Sequence, residues 1–304
     1  MTSVIDSAPS ALSARLRQRL MREASPTGGW AYYAGKQPRI ESTAWALLAL
    51  ADTSDLSPAA WQSFAAPHLA FLAQCQQPDG LMVDGPGMFP NFTSNAIAAC
   101  VLTHLSAGTS PVLTPLINGL LMVKGVKVDV DDAQQDNQLQ GWPWMVTTFS
   151  WVEPTAWCML ALKAARVKGS LADARIKEAE RLLANRSCAV GGWNFGNASA
   201  LGQDLRPYVP TSALGLMALQ DRRDDPVVPR GLAYLDGARL HERSAMALSL
   251  VALCLRIYGK PVDDVEQRLA EDVDRIDRIG NLHTMAMALY ALEAGRHQVR
   301  AFRV

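Results

Sequence analysis

Three stretches decide how this chain folds: Gly28-Gly29-Trp30 running on to Leu50, Gln140-Gly141-Trp142 running on to Leu162, and Gly191-Gly192-Trp193 running on to Leu219. Each opens on Gly-Trp, passes through a polar loop, and starts an apolar helix on a short polar signature. The signatures read Glu41-Ser42-Thr43-Ala44-Trp45, Glu153-Pro154-Thr155-Ala156-Trp157 and Pro210-Thr211-Ser212-Ala213. Looser copies are Thr93-Ser94-Asn95-Ala96, Glu242-Arg243-Ser244-Ala245 and His283-Thr284-Met285-Ala286. Self-similarity returning every ~35–60 residues marks an array of helical units that bury their apolar faces on one another.

The helices behind the signatures, over 44–51, 156–165 and 245–255, carry few charges. A helix without a polar face must be covered on all sides. Their early Ser and Thr residues are expected to cap them, and Pro154 suits a first turn. Between them lie helices with one wet face. Over 173–185, Ile176, Ala179, Leu182 and Leu183 form one stripe, with Arg175, Lys177, Glu178 and Arg181 elsewhere. Leu12, Leu16 and Leu20 form a similar stripe, and further outer helices are expected near 58–74, 111–124, 229–235 and 262–276. Sustained period-two runs with hairpin turns, the mark of strands, are nearly absent. Six buried helices alternating with six amphipathic ones predict an all-α fold, an (α/α)6 toroid. No linker divides it, so residues 1–304 are expected to form one domain.

Composition agrees. The chain has 304 residues, 49% hydrophobic and 19% charged, enough for a large core. Lys+Arg and Asp+Glu are both 29, so no basic excess points to a nucleic-acid partner. This balance leaves open an apolar small-molecule partner contacted over a small area. The first ten residues lack the pattern of a secretory leader, and no run approaches the ~20 apolar residues that span a bilayer. Contact with a membrane surface stays open. The five cysteines form no Cys-x-x-Cys pair; Cys100, Cys158 and Cys254 sit in apolar helical runs as small core residues, and a reducing cytoplasm is the simplest compartment.

On these residues the chain resembles the terpene cyclase and protein prenyltransferase superfamily. A helix end, a turn and then Gly-Gly-Trp is similar to the QW repeat of squalene-hopene and oxidosqualene cyclases. The partial copies are Gly28-Gly29-Trp30, Gln77-Pro78-Asp79-Gly80 (which lacks the Trp), Gly141-Trp142 and Gly191-Gly192-Trp193. In those cyclases the fold is one of two α-barrel domains; here it would stand alone. Read from the residues, Gly ends the outer helix, and Trp30 and Trp193 pack over the junction with their indole N–H satisfied locally. Trp142-Pro143-Trp144, with Phe149 and Trp151 close behind, is denser, and its rings are candidates to line a cavity.

The resemblance also suggests an acid. Class II cyclases protonate an alkene or epoxide with the middle Asp of Asp-x-Asp-Asp-Thr-Ala. Aligned on Thr155-Ala156, Glu153 falls at that Asp, while Trp151 and Pro154 replace its neighbours. Such an acid must stay protonated in an apolar pocket, which suits a carboxyl among Trp142, Trp144, Trp151 and Phe149. The plainer reading is a charge favoured by the positive end of its helix. Glu41 stands at the same place in the first copy, with the same two readings. Tyr208 and Arg206, in the loop before Pro210, are candidates to meet the substrate.

No cofactor is required. Were Mg2+ to enter with a diphosphate, Asp131, Asp132 and Asp136 would suit it; the bland reading of Asp129-Val130-Asp131-Asp132 is a wet loop. In prenyltransferase β subunits zinc is held by Asp-x-Cys and a late His. Here the counterpart reads Leu240-His241-Glu242 without the Cys, so zinc would be left to His241, Glu242 and His283. The functional expectation is an isoprenoid-handling enzyme resembling a single-domain class II terpene cyclase. The alternatives are a non-catalytic toroid that binds a lipid or protein, and a carbohydrate-active (α/α)6 enzyme.

Overall fold

The computed structural model describes residues 7–53, 55–106, 108, 110–129 and 135–304. It is all-α, as the repeats predict. The helices are α1 (Ser7–Arg22), α2 (Ile40–Thr53), α3 (Pro58–Gln74), α4 (Phe92–Ser106), α5 (Leu113–Met122), α6 (Val152–Ala164), α7 (Ser170–Asn185), α8 (Val209–Ala218), α9 (Val227–Ala238), α10 (Ala245–Ile257), α11 (Asp263–Ile279) and α12 (Leu282–Leu292). A short α13 (Ala294–His297) follows, and one two-residue hairpin, β1 (Ser199–Ala200) with β2 (Gln203–Asp204), is the only sheet among the described residues. None of the described helices is long and apolar enough to cross a membrane.

The helices sort into two compact units, 1–76 with 243–300 and 77–242 with 301–304. In the first, the buried helices α2 and α10 both pack on α12, and the amphipathic α1, α3 and α11 cover them. In the second, α4 and α8 flank α6, with α5, α7 and α9 outside. The division of labour follows from sequence. α11 buries only Val265, Leu269, Val273 and Ile276, one stripe at helical spacing. α6 buries every residue from Pro154 to Leu162.

The Gly-Trp elements prove to be one joint used repeatedly. Trp30, Trp142 and Trp193 are fully buried. Their indole N–H groups donate to Leu20 O (2.7 Å), Leu120 O (2.8 Å) and Leu183 O (2.6 Å). Each acceptor lies in the last turn of the preceding outer helix, where carbonyls have no partner within the helix. The main-chain N–H of each Trp donates to the fourth residue of the next buried helix: Thr43, Thr155 and Ser212, each at 2.9 Å. These hydroxyls were expected to cap their own helices. They sit inside the first turn instead and hold the preceding loop down. The second copy uses the same joint with Met82 in place of Trp: its N–H donates to Asn95 Oδ1 at 2.7 Å, and Asn95 Nδ2 returns a bond to Met82 O at 2.9 Å.

Glycine is required here for two reasons. Gly28, Gly80 and Gly191 have φ of +98°, +86° and +89°, in the left-handed half of the map. A Cβ at Gly80 would also stand 2.1 Å from Pro115 O, and one at Gly191 2.4 Å from Arg230 O. The third copy has Gln140 at this place, and its carbonyl is occupied differently: Arg175 Nη1 donates to it at 2.6 Å.

Arg175 departs from the sequence expectation. It was placed on the wet face of α7, yet it is 1% exposed, with its guanidinium 3.9 Å over the Trp142 ring. It also donates to Val123 O (2.7 Å) and Gly141 O (3.2 Å), so it closes the end of α5 and the Gly-Trp turn together. Burial lowers its pKa, and Glu178 beside it, at 3.5 Å, opposes that shift. A charge is tolerable there because carbonyls, a carboxylate and a π face take the place of water.

Candidate active site

Two places gather the residues singled out from sequence, one in each unit. In the second unit, five rings meet at the loops before α6 and α8. Trp144 stacks on Trp151 (centroids 4.8 Å apart, planes at 24°), Phe149 lies 4.6 Å from Trp151, Phe195 5.8 Å from Trp144, and Tyr208 5.0 Å from Phe195. Phe149, Phe195 and Tyr208 stay more than 40% exposed, so the group is a surface rather than core. A cavity of about 270 Å³ is bordered by Phe149, Trp151, Phe195, Leu205, Arg206 and Tyr208. A second of about 280 Å³ shares Phe149 and Asn197 with it and adds Gln135, Asn137 and Arg186.

Local structure explains why the rings converge. Trp151 N donates to Trp142 O at 3.0 Å and Tyr208 N to Trp193 O at 2.9 Å, so each loop is cinched where its helix begins. Val152 N donates to Phe195 O at 2.9 Å and ties the two loops together. Asn194 shapes the second loop by accepting from Gly196 N (2.9 Å) and donating to Asn197 O (2.6 Å). A Cβ on Gly196 would lie 3.0 Å from the Trp151 ring, so glycine lets the backbone rest on that face.

Trp142 is not part of this surface. Its ring is fully buried under Arg175, and its role is the joint described above. Glu153, the second residue of α6, is half-buried two residues after Trp151. Two residues on a helix subtend about 200°, so Glu153 leaves α6 on the side opposite Thr155, away from the Trp142 joint. Sequence reading missed Phe195. A signal existed: it lies two residues after Trp193, as Trp144 lies two after Trp142 and Tyr32 two after Trp30.

The first unit brings Tyr32, Glu41 and His283 together. Tyr32 Oη donates to Glu41 Oε2 at 2.5 Å. His283 Nε2 stands 3.7 Å from Glu41 Oε1, and the Tyr32 and His283 rings are 5.3 Å apart. Glu41 and His283 are each the second residue of their helices, α2 and α12, which pack together. The strand-like contact of Tyr33 with Asn281, and the bond from Leu282 N to Tyr32 O at 2.8 Å, fix the approach. His283 is buried, with its side chain 7% exposed. Burial lowers its pKa, with Glu41 pulling the other way, and its Nδ1 has no hydrogen-bond partner.

Among the described residues no three His, Cys, Asp or Glu side chains gather closely enough to hold one ion. His241 is exposed in the turn Arg239–His241 of the second unit, and Glu242 follows it, whereas His283 is buried against Glu41 in the first. Asp131 and Asp132 lie outside the described residues. Asp136 is held in a loop: its N–H donates to Asn185 Oδ1 (3.0 Å), its Oδ1 accepts from Gln138 N (2.9 Å), and Arg181 stands 3.9 Å away. The five cysteines are buried thiols outside any disulfide, and burial pushes the Cys100 thiol up to about 12.

The sequence matches no family model and no curated protein. Solved structures do share the fold. A type II terpene cyclase, MstE from Scytonema, superposes with a TM-score of 0.62 at 13% identity, covering 96% of this chain and 99% of that one. A single-substitution variant of that cyclase in complex with its product merosterolic acid A gives 0.60 at 14% identity, over 96% and 98%. A β-1,3-1,4-glucanase from Paenibacillus sp. X4 gives 0.54 at 11% identity, over 100% and 94%. At these identities the likeness defines the class of fold, an all-α toroid of paired helices, and leaves chemistry to the site.

Proposed function

We propose that the chain is an isoprenoid-handling enzyme of the type II terpene cyclase kind, which starts cyclisation of a polyprenyl substrate by protonation. The observation that carries this reading is the five-ring surface on the second unit, with the carboxyl of Glu153 opening the adjoining helix. Trp144, Trp151, Phe149, Phe195 and Tyr208 offer π faces, and π faces stabilise the positive charge that such a reaction generates. The fold shared with a cyclase whose structure is known in complex with its product supports the reading. The second carboxyl of this kind, Glu41, stands at the corresponding place on α2. Buried thiols outside any disulfide fit a reducing, cytoplasmic setting.

Incubation with farnesyl and geranylgeranyl substrates, followed by mass spectrometry, tests it. A cyclised product from the wild type, lost in Glu153→Gln or Glu41→Gln, is expected. No product from any polyprenyl chain would refute the reading. A carbohydrate-active reading has one observation in its favour, exposed rings flanked by Arg206 and Asn197, a setting in which sugars stack. Binding of a mixed-linkage glucan in place of isoprenoids would establish that alternative.

A further inference from the structure

We infer that the second cavity of the second unit seats a neutral hydroxyl group. That hydroxyl is the polar end of the ligand whose chain lies on the rings next door, and Gln135 Oε1 accepts its hydrogen bond. The inference rests on the isoprenoid reading above and adds what the chain ends in.

The two cavities adjoin, with Phe149 and Asn197 as walls of both. Each is slightly smaller than the ~300 Å³ at which pockets for a whole ligand begin, so together they suit one ligand in two parts. Their walls differ. Rings border most of the first, whereas the second gathers Gln135, Asn137, Asn197 and Arg186.

Gln135 decides what this group can bind. It is 8% exposed. Its Nε2 donates to Asn137 Oδ1 at 2.8 Å and to Asn197 Oδ1 at 3.1 Å, which engages both amide protons. Its Oε1 is buried and has no hydrogen-bond partner among the described residues. Such acceptors are rare in folded chains, because each forfeits the hydrogen bonds water gave it. What Gln135 can offer a ligand is therefore an acceptor oxygen, and the ligand must bring the proton.

That requirement sorts the polar ends a prenyl chain can carry. A phosphate ester above its second ionisation, at about pH 6, has no proton to donate. One of its oxygens would also stand against Gln135 Oε1. Arg186 on the same wall would attract an anion, but its Nη1 is engaged by Asn185 Oδ1 and its Nη2 by Asp136 O at 3.1 Å. The same guanidinium, 6% exposed, disfavours an ammonium group. A hydroxyl donates to Gln135 and carries no charge. It can come from a prenyl alcohol or from a free sugar, and the rings of the first cavity match the chain of the alcohol.

Four probes test this on the full chain at about pH 8, where the phosphate is fully ionised: farnesol, its methyl ether, farnesyl phosphate and cellobiose. Calorimetry gives affinities for the wild type, Gln135→Met and Phe195→Ala, each checked for native circular dichroism. The wild type is expected to bind farnesol about tenfold more tightly than the ether, which cannot donate, and more tightly than the phosphate. Gln135→Met is expected to erase the difference between farnesol and the ether. Phe195→Ala, which opens the ring-lined cavity alone, is expected to weaken both alike. Equal wild-type affinity for farnesol and the ether, or a preference for the phosphate, overturns the inference and leaves the isoprenoid reading standing. That comparison needs no variant, so it decides even where Gln135→Met does not fold. A farnesol preference that persists in folded Gln135→Met overturns the part given to Gln135. Binding of cellobiose alone, lost in Gln135→Met, keeps the hydroxyl seat and refutes the isoprenoid reading. Binding of none of the four refutes both.

Discussion

The joint beneath Trp142 can be tested with a single oxygen atom. Thr155 is fully buried; its Oγ1 accepts from Trp142 N at 2.9 Å and donates to Trp142 O at 3.3 Å. Thr155→Val keeps the shape and deletes the oxygen. The Trp142 carbonyl retains Trp151 N at 3.0 Å, but the Trp142 N–H is left without a partner in a place water does not reach. An orphaned buried donor costs about 1–3 kcal/mol. Taking about 2 kcal/mol, the thermal midpoint should fall by roughly 3 °C in a chain of this size. Urea unfolding followed by tryptophan fluorescence gives the free energy, and amide hydrogen exchange at Trp142 should accelerate selectively. Thr148→Val is the control, since its hydroxyl bonds Met145 O at an exposed site and surface changes stay within about 0.5 kcal/mol. A Thr155→Val loss no larger than that of the control would refute the shared-joint account, and with it the matching roles of Thr43 and Ser212.

Gly80→Ala should be far worse than Gly35→Ala in the same unfolding assay. Both have positive φ, but only at Gly80 would the new methyl stand 2.1 Å from a carbonyl, whereas nothing lies within 4 Å of Gly35; equal losses would show that the close approach does not matter. Stability should fall as pH drops from about 6.5 toward 4. Burial lowers His68 to about 4 in the folded chain while the unfolded chain protonates near 6.5, so the stability is full above that window and lost within it. His68 Nδ1 accepts from Gly29 N at 2.8 Å, so His68→Asn should flatten the pH profile; an unchanged slope would contradict the assignment. The native protein should leave all five thiols unreactive to an aromatic disulfide reagent and release them on denaturation. Rapid native labelling would place a cysteine at the surface.

The fold was legible because its repeating joint is written in residues with few other uses. Gly-Trp followed by a helix opening on Thr or Ser marks a turn, an indole and a hydroxyl that must coincide, and α3 runs over Pro58–Gln74, where an outer helix was expected. The second copy was only half legible: Met82 fills the space of a Trp without its N–H, and Asn95 replaces the hydroxyl. Arg175 was misread because amphipathic patterning assigns charge to water, and nothing local shows that three carbonyls and a ring await it. The aromatic surface was legible as a density of rings, although Trp142 was counted in it. Phe195 was missed because it lies more than forty residues from Trp144, Phe149 and Trp151 and only the loop bonds bring it back. Tyr32 with Glu41 and His283 was invisible for the same reason, since 242 residues separate the last two.

The layout of the first unit also bears on how the molecule is made. Its buried centre, α12, comes near the end of the chain, while its partner α2 emerges among the first fifty-odd residues. On a ribosome, α2 therefore leaves the exit tunnel with its apolar sides bare, and everything from α4 to α9 is translated before α12 arrives to cover it. The middle segment has its own buried centre and can close first. The opening helices are the part of the nascent chain that a chaperone would have to shield longest.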